Sequence, residues 1–286
     1  MQHVAACIGR QPAVLYYGVN RSRMKKLFAG LVLLTIASRA LADDGFSLST
    51  GLDYSTGKYG NAVSTDILYV PVIGKYAADR LSLMLTIPYI SITGPGGVIQ
   101  GYGRMVSPAG GTGFGRSARG GGLATSTNSG LGDVIASAGY VVYAADALSL
   151  DVVGKIKFGT ADANKGLGTG ENDYSAQVDG SFRLLGQTSL FATAGYKVVG
   201  APVGIATNNV AFGTLGVNQQ LSDDTNAGAM VNAAQSAFVT GGAQRDVTVY
   251  ASQNLSRSTS VQASLLKGFA DGSPDYGGRV MITGMF

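Results

Sequence analysis

Candidate chemistry in this chain is limited to carboxylates, amines and guanidinium groups. The single histidine, His3, and the single cysteine, Cys7, both precede a segment that we expect to be cleaved off. Without them, no Ser-His or Cys-His pair can activate a nucleophile, and the usual zinc ligands are missing. The sequence therefore predicts that the protein is not an enzyme and that it holds no metal and no cofactor.

The ionic and amide residues follow a spacing of two in three neighbouring segments. Polar and apolar side chains alternate there, which is the pattern of a β-strand with two different faces. The polar face carries Asp151, Lys155 and Lys157 in the first segment, Asp173, Gln177, Asp179 and Arg183 in the second, and Lys197 in the third. We expect these side chains to line a watery interior, as a lattice of ion pairs, as the path of a solute, or as both. Carboxylate catalysis is the weaker interpretation, because the inner face of such a fold has to be polar in any case.

Twelve segments with this alternation follow one another along the chain. We predict strands at 46–54, 64–76, 80–92, 130–144, 147–159, 172–185, 188–199, 209–221, 225–237, 245–256, 259–269 and 276–286. Turns of two or three residues alternate with mostly longer loops, which is typical of an antiparallel up-and-down transmembrane β-barrel of the bacterial outer membrane. The alternative is a soluble β-sandwich, in which Leu150, Val178 and Val249 would pack against a second sheet.

Residues 24–42 have the layout of a secretory signal peptide, with a basic start at 24–26, an apolar stretch at 27–37 and a small-residue cleavage site at 40–42. We expect translation to start at Met24, which makes 1–23 an upstream artefact, and the mature barrel to occupy 43–286. Six of the 21 basic residues and none of the 17 acidic ones precede position 43. The mature chain therefore has 15 basic and 17 acidic residues, a net charge of −2, and no basic excess that would predict binding to nucleic acid.

The longest connection, 93–129, is rich in glycine and carries Arg104, Arg116 and Arg119. Loops beyond about 12–15 residues without structure of their own are usually functional or disordered. One interpretation is a flexible external loop. The other is a loop that folds into the barrel as a constriction, where its arginines set the charge selectivity.

The last predicted strand has Val280, Ile282 and Phe286 on its apolar face, and the sequence stops at that phenylalanine. This arrangement resembles the C-terminal sorting signal of outer-membrane barrels, so we expect Phe286 to bind the barrel-assembly machinery. Tyrosine girdles at the two membrane interfaces are a second feature of such barrels. The tyrosines near strand ends are Tyr69, Tyr76, Tyr89, Tyr140, Tyr174, Tyr196 and Tyr276.

Four short motifs lie between residues 130 and 182: GLGDV at 130–134, KIKFGT at 155–160, LGTG at 167–170 and NDY at 172–174. In this stretch the chain resembles the outer-membrane family named for the meta-pathway of phenol degradation. That family usually has a Pro-Thr-Gly-like turn where this chain has Gly159-Thr160 without the proline. The resemblance implies an outer-membrane transporter, of a kind often linked to hydrophobic or aromatic compounds.

We therefore expect a channel or transporter in the outer membrane of a Gram-negative cell, through whose polar lumen a small, hydrophobic or aromatic solute passes. Its expected partners are outer-membrane lipid, the assembly machinery and the solute. The alternative is a closed barrel with a structural or surface-interaction role, whose extracellular loops contact a partner. A dry or plugged interior would favour this alternative.

Overall fold

The computed structural model describes residues 45–96, 98–100, 105–106, 125–184 and 186–286, all within the unit that comprises residues 42–286. The predicted leader at 1–42 and Arg104, Arg116 and Arg119 lie outside these residues. The strands are β1 (Phe46–Gly57), β2 (Thr65–Ala78), β3 (Leu81–Gly94), β4 (Ile99–Gln100), β5 (Met105–Val106), β6 (Ser126–Leu131), β7 (Val134–Ala144), β8 (Leu148–Phe158), β9 (Asp173–Arg183), β10 (Thr188–Val198), β11 (Val210–Gln220), β12 (Thr225–Ala234), β13 (Gln244–Ser256), β14 (Thr259–Gly268) and β15 (Tyr276–Met285). A 3-10 turn spans Ala163–Lys165. No helix in these ranges is long and apolar enough to cross a membrane.

Thirteen of the strands form one antiparallel sheet that closes on itself. Strand β1 pairs with β2 on one side and with β15 on the other, from Ser47 opposite Met285 to Thr56 opposite Tyr276. Strands β6 and β7 both pair with β3 and together build one strand of the wall. The barrel therefore has twelve wall strands, which confirms the fold predicted from the sequence. Strands β4 and β5 pair with each other in a separate two-stranded sheet.

The wall strand predicted at 130–144 is interrupted at Gly132 and Asp133, so that prediction was wrong in detail. The register with β3 shifts by one residue between β6 and β7, and Gly132 donates its N–H to the carbonyl of Pro88 at 2.9 Å. Pro88 lies directly opposite Pro71 of β2. The β2–β3 ladder continues past both prolines. Because proline has no N–H to donate, the ladder is interrupted on the opposite side of each one, between β2 and β1 beside Pro71 and between β3 and the β6–β7 strand beside Pro88. The resulting bulge turns the Asp133 side chain inward, where it is fully buried.

Side chains alternate between the two faces of the wall. On the outer face, Val178 is 47% and Val249 is 49% exposed, and Leu150 is partly exposed. On the inner face, Lys157 and Asp246 are each only 1% exposed. The described strands form no second layer against the outer face, which excludes the β-sandwich.

The two ends of the barrel differ in the length of their connections. Turns of two to four residues join the strands at one end, the turn end, and loops of seven residues or more join them at the other, the loop end.

Six of the seven predicted girdle tyrosines share the outer face. Tyr69 does not, because it lines an interior cavity. Strand β2 is apolar on both faces, so the sequence pattern could not assign its direction.

Candidate solute site in the barrel interior

The barrel encloses a cavity of about 470 Å³ beside β1, β2 and β13 to β15. Small-molecule sites in proteins typically occupy about 300–1,000 Å³. Aromatic and aliphatic side chains form most of its wall, and hydroxyl and amide groups form the rest. The apolar lining residues are Tyr59, Ile67, Tyr69, Phe191, Met230, Tyr250 and Leu266, and the uncharged polar ones are Ser55, Thr248, Gln262 and Ser264. The cavity is therefore suited to a solute with an apolar body and few polar groups.

The two charged residues at this cavity neutralise each other. Asp53 of β1 lies opposite Arg279 of β15, and the Arg279 Nε donates to the Asp53 Oδ2 at 2.6 Å. A second guanidinium nitrogen contacts the same carboxylate oxygen. Paired in this way, the two groups present little net charge to a solute beside them.

Three aromatic rings lie flat along the inner wall because the residue that each ring covers on the neighbouring strand is a glycine. A Cβ at Gly216 would collide with the ring of Phe191, and a Cβ at Gly228 would collide with the ring of Tyr250. Gly195 and the ring of Phe212 have the same relationship across the β10–β11 pair. Glycine on a neighbouring strand thus lets a large ring cover the wall without projecting into the interior.

Two hydroxyl groups at the cavity differ in how their hydrogen-bonding capacity is used. The Tyr250 hydroxyl donates to Asn218 Oδ1 at 3.0 Å. Thr248, two residues earlier on β13, is 5% exposed, and its Oγ1 has no hydrogen-bond partner. A buried hydroxyl without a partner is costly, by about 1–3 kcal/mol, so Thr248 is a weak point of the wall.

The polar residues predicted from the sequence fall on the inner face in separate groups. The Gln177 amide donates to both carboxylate oxygens of Asp179, at 2.8 and 2.7 Å, and Thr193 donates to the same carboxylate at 2.6 Å. Asp151 lies directly opposite Asp179 on the neighbouring strand. Arg183 lies apart from them at the turn end, beside a cavity of about 520 Å³.

The remaining predicted lysines lie nearer the loop end. Lys155 and Lys197 line an interior cavity of about 170 Å³ together with Asn232 and Asp246. The Asp246 carboxylate accepts a hydrogen bond from the Asn232 amide at 3.0 Å. Buried charged side chains thus line the cavity in this half of the barrel, whereas the cavity around Phe191 and Tyr250 is lined mostly by uncharged side chains.

Lys157 belongs to a buried ionic cluster, which we define as Asp133, Lys157 and Asp173. The Lys157 Nζ lies 2.9 Å from a carboxylate oxygen of Asp133 and 3.6 Å from one of Asp173. Asp133 also accepts from the backbone N–H of Ala161 at 2.9 Å, and Asp173 accepts from that of Gly200 at 3.0 Å. The cluster therefore fastens two loops, 159–172 and 199–209, to the barrel wall.

Apolar side chains from the loops fold into the loop end of the barrel. A loop-side cluster of buried residues contains Tyr59, Ile67, Ile90, Ile92, Val98, Ala161 and Leu167. A second one contains Val210, Ala237 and Phe238. Burial raises the pKa of the Tyr59 phenol to about 12, because the ionised form would be poorly solvated there. Of the long connection at 93–129, only Val98 is part of this packing among the described residues.

Sequence reasoning missed Asp133 and the aromatic side of the interior. Asp133 lies within the strand predicted at 130–144 and within the GLGDV motif, but its position in the alternation did not single it out as an interior charge. The inward direction of Phe191 could have been predicted, since this residue stands between Ser189 and Thr193 on the polar face of β10. An aromatic residue in phase with hydroxyl residues is therefore the signal that could have located this cavity. Among the described residues, no group of three or more His, Cys, Asp or Glu could hold a metal ion.

Comparison with known proteins shows likeness at the level of structure. No family model matches the chain, and no curated protein matches it. An outer-membrane channel from Pseudomonas putida F1 is similar over 85% of this chain and 96% of that chain, with 11% identity and a TM-score of 0.61.

Two further solved structures are more loosely similar. The translocator domain of the autotransporter NalP from Neisseria meningitidis has 13% identity over 93% of this chain and 97% of that chain, with a TM-score of 0.49. The toluene transporter of Ralstonia pickettii has 11% identity over 86% and 90%, with a TM-score of 0.45. The similarity to the channel from Pseudomonas putida shows the fold, which is that of an outer-membrane β-barrel.

Proposed function

We propose that the protein is an outer-membrane channel or transporter for a small solute that is hydrophobic or aromatic, and that the 470 Å³ cavity lies on the route of that solute. The observation that carries the proposal is the composition of this cavity. Its wall combines aromatic rings with a few hydroxyl groups, and its two charges are paired with each other. Such a wall favours uncharged, mostly apolar solutes over ions.

Two further points support this function. The fold is shared with a channel protein over most of both chains, and the motifs at 130–182 resemble a family of outer-membrane transporters. The ionic side chains fit the same function, because they would line the hydrated part of the solute's route. In this proposal Asp151, Lys155, Gln177 and Asp179 hydrate the middle of the interior, and Arg183 lies at its turn-end mouth.

The test is solute flux through purified protein in liposomes, compared between two tryptophan variants. Ser264→Trp places an indole in the cavity, whereas Ala263→Trp places the same ring on the outer face of the same strand. We expect Ser264→Trp to lower the flux of a neutral monocyclic aromatic solute at least severalfold and Ala263→Trp to leave it unchanged. Equal fluxes in the two variants would show that solutes do not pass this cavity, and no flux in the unaltered protein would remove the transport function.

A second candidate function is a closed barrel that works through its loops. The observation that favours it is the packing of Leu167 and Phe238 inside the loop end. It predicts no flux of any solute, together with binding of a partner that is lost when loop 235–243 is altered. Flux through liposomes therefore distinguishes the two functions.

The proposed location is the outer membrane of a Gram-negative cell, reached through the signal at 24–42 and the assembly machinery. The ring of Phe286 lies 6.2 Å from that of Phe46, and its N–H donates to the Phe46 carbonyl at 2.9 Å. We expect Phe286→Ala to reduce the amount of heat-modifiable barrel in outer-membrane fractions. Phe46→Ala is the matched control, because it removes the ring contact and leaves the terminal aromatic residue in place.

A further inference from the structure

Nearly all charged side chains within the described strands face the interior, and the exceptions form a pattern. Asp66, Arg245 and Lys267 share the outer face with exposed apolar residues, and all three lie at the loop end. Their direction follows from their neighbours, since Asp246 is buried inside and Leu266 lines the interior cavity. A cation on the lipid face is costly near the middle of the bilayer, and the cost falls to about 0–1 kcal/mol near its surface.

Arg245 and Lys267 lie close together on neighbouring strands. Lys267 is opposite Val247, two residues along β13 from Arg245. Such diagonal neighbours are about 7–8 Å apart, so both long side chains can reach one anion. Among the described residues, no carboxylate lies within salt-bridge distance of either cation.

Aromatic side chains border the two cations. The Lys267 Nζ lies 3.8 Å from the centre of the Tyr276 ring, and the Phe269 N–H donates to the Arg245 carbonyl at 2.9 Å. Phe269 is 67% exposed and Tyr276 is 59% exposed. Asp66 is three strands away from Lys267, about 14 Å at the usual strand spacing, and it accepts a hydrogen bond from the Tyr54 hydroxyl at 3.1 Å. The acidic residue therefore does not neutralise the pair.

We propose that Arg245 and Lys267 form a binding site for the phosphate group of an anionic, phosphorylated lipid in the outer leaflet, with Phe269 and Tyr276 against its acyl chains. The guanidinium group offers a planar set of donors that matches phosphate oxygens, and the lysine adds a second charge. The proposal rests on the outer-membrane location with the loop end outside, which the proposed function shares. It does not require that any solute crosses the barrel.

The experiment measures binding of lipid A to the detergent-solubilised protein by native mass spectrometry. The variant is Arg245→Gln with Lys267→Gln, and the matched control is Lys58→Gln with Lys165→Gln, which removes two charges from exposed loop residues. Lipid A with its phosphates removed is the second arm. Heat-modifiable migration on gels verifies that every variant is folded.

We expect the outer-face variant to bind lipid A about thirtyfold more weakly, since each cation near a charged membrane surface contributes about a factor of five. The loop control should bind like the unaltered protein, and added salt should weaken binding. Equal binding by the outer-face variant and the control would overturn the proposal, and so would equal binding of lipid A with and without phosphate. Solute flux should be the same in the outer-face variant, so a failure of this proposal leaves the proposed function standing.

Discussion

Removing the lysine of the buried ionic cluster should destabilise the barrel far more than removing an exposed one. The side chains of Lys157 and Asp133 are 1% and 0% exposed, and that of Asp173 is 6% exposed. Lys157→Met would leave two buried carboxylates without the cation between them. Breaking a buried pair by removing one partner typically costs about 3–5 kcal/mol, which lowers the equilibrium constant for folding at least a hundredfold.

The chain provides a matched comparison in Lys165, which lies 3.8 Å from Asp162 with side-chain exposures of 57% and 43%. Exposed pairs of this kind contribute about 0–1 kcal/mol, so Lys165→Met should change the free energy of unfolding by less than 1 kcal/mol. Urea unfolding in lipid vesicles, followed by far-ultraviolet circular dichroism, measures both values. Circular dichroism is the suitable signal because the chain contains no tryptophan.

A double variant separates charge from packing. If the uncompensated charge is the cause, Asp133→Asn in the Lys157→Met background should recover a substantial part of the lost stability, because it removes one buried carboxylate. If packing of the lysine stem is the cause, the second substitution should add to the loss. The reasoning would be refuted if Lys157→Met were no more destabilising than Lys165→Met.

Three further predictions concern single residues. Gly216→Ala should push the Phe191 ring away from the wall, lower solute flux and destabilise the barrel by about 1–3 kcal/mol, and Phe191→Ala in the same chain should restore stability in urea unfolding. Thr248→Val should leave the free energy of unfolding unchanged or raise it by about 1 kcal/mol, because it removes a buried hydroxyl without a partner; a clear loss would mean that the hydroxyl is satisfied in the native barrel. Burial raises the pKa of Tyr59 to about 12, so the folded state holds this proton more tightly than the unfolded chain, and stability should fall as the pH rises from about 10 to 12. Tyr59→Phe should make that fall shallower, and an unchanged slope would contradict the assignment.

The barrel was predictable from sequence because each wall strand sees two different solvents. Val178 and Val249 alternate with polar residues because one face of each strand points outward and the other points into the polar interior. This period of two is therefore present in each strand by itself and does not depend on contacts distant in sequence. The closed twelve-strand sheet and its alternation of turns and loops follow from the same signal. The break at Gly132 and Asp133 does not, because it depends on Pro88 across the pair, and local periodicity carries no information about a partner strand.

The interior was predicted less completely for a related reason. Lys155 and Asp179 were placed on the inner face from their phase alone. That Leu167 and Phe238 turn inward depends on contacts between loops distant in sequence, and a loop has no period from which its direction could be deduced. Tyr69 was assigned to the wrong face because Ile67 and Tyr69 meet an apolar cluster inside the barrel while Leu68 meets the outside, so both faces of β2 became apolar.

The seam between β1 and β15 has a consequence for how the chain is made. Its side-chain contacts join residues far apart in sequence, such as Ser49 with Thr283, 234 positions away, and Asp53 with Arg279, 226 positions away. Contacts of such long range close slowly, because most of the chain has to be confined before they form. Until the last strand is in place, the first strand has one unpaired edge. An open edge beside exposed apolar faces invites aggregation until this seam has closed.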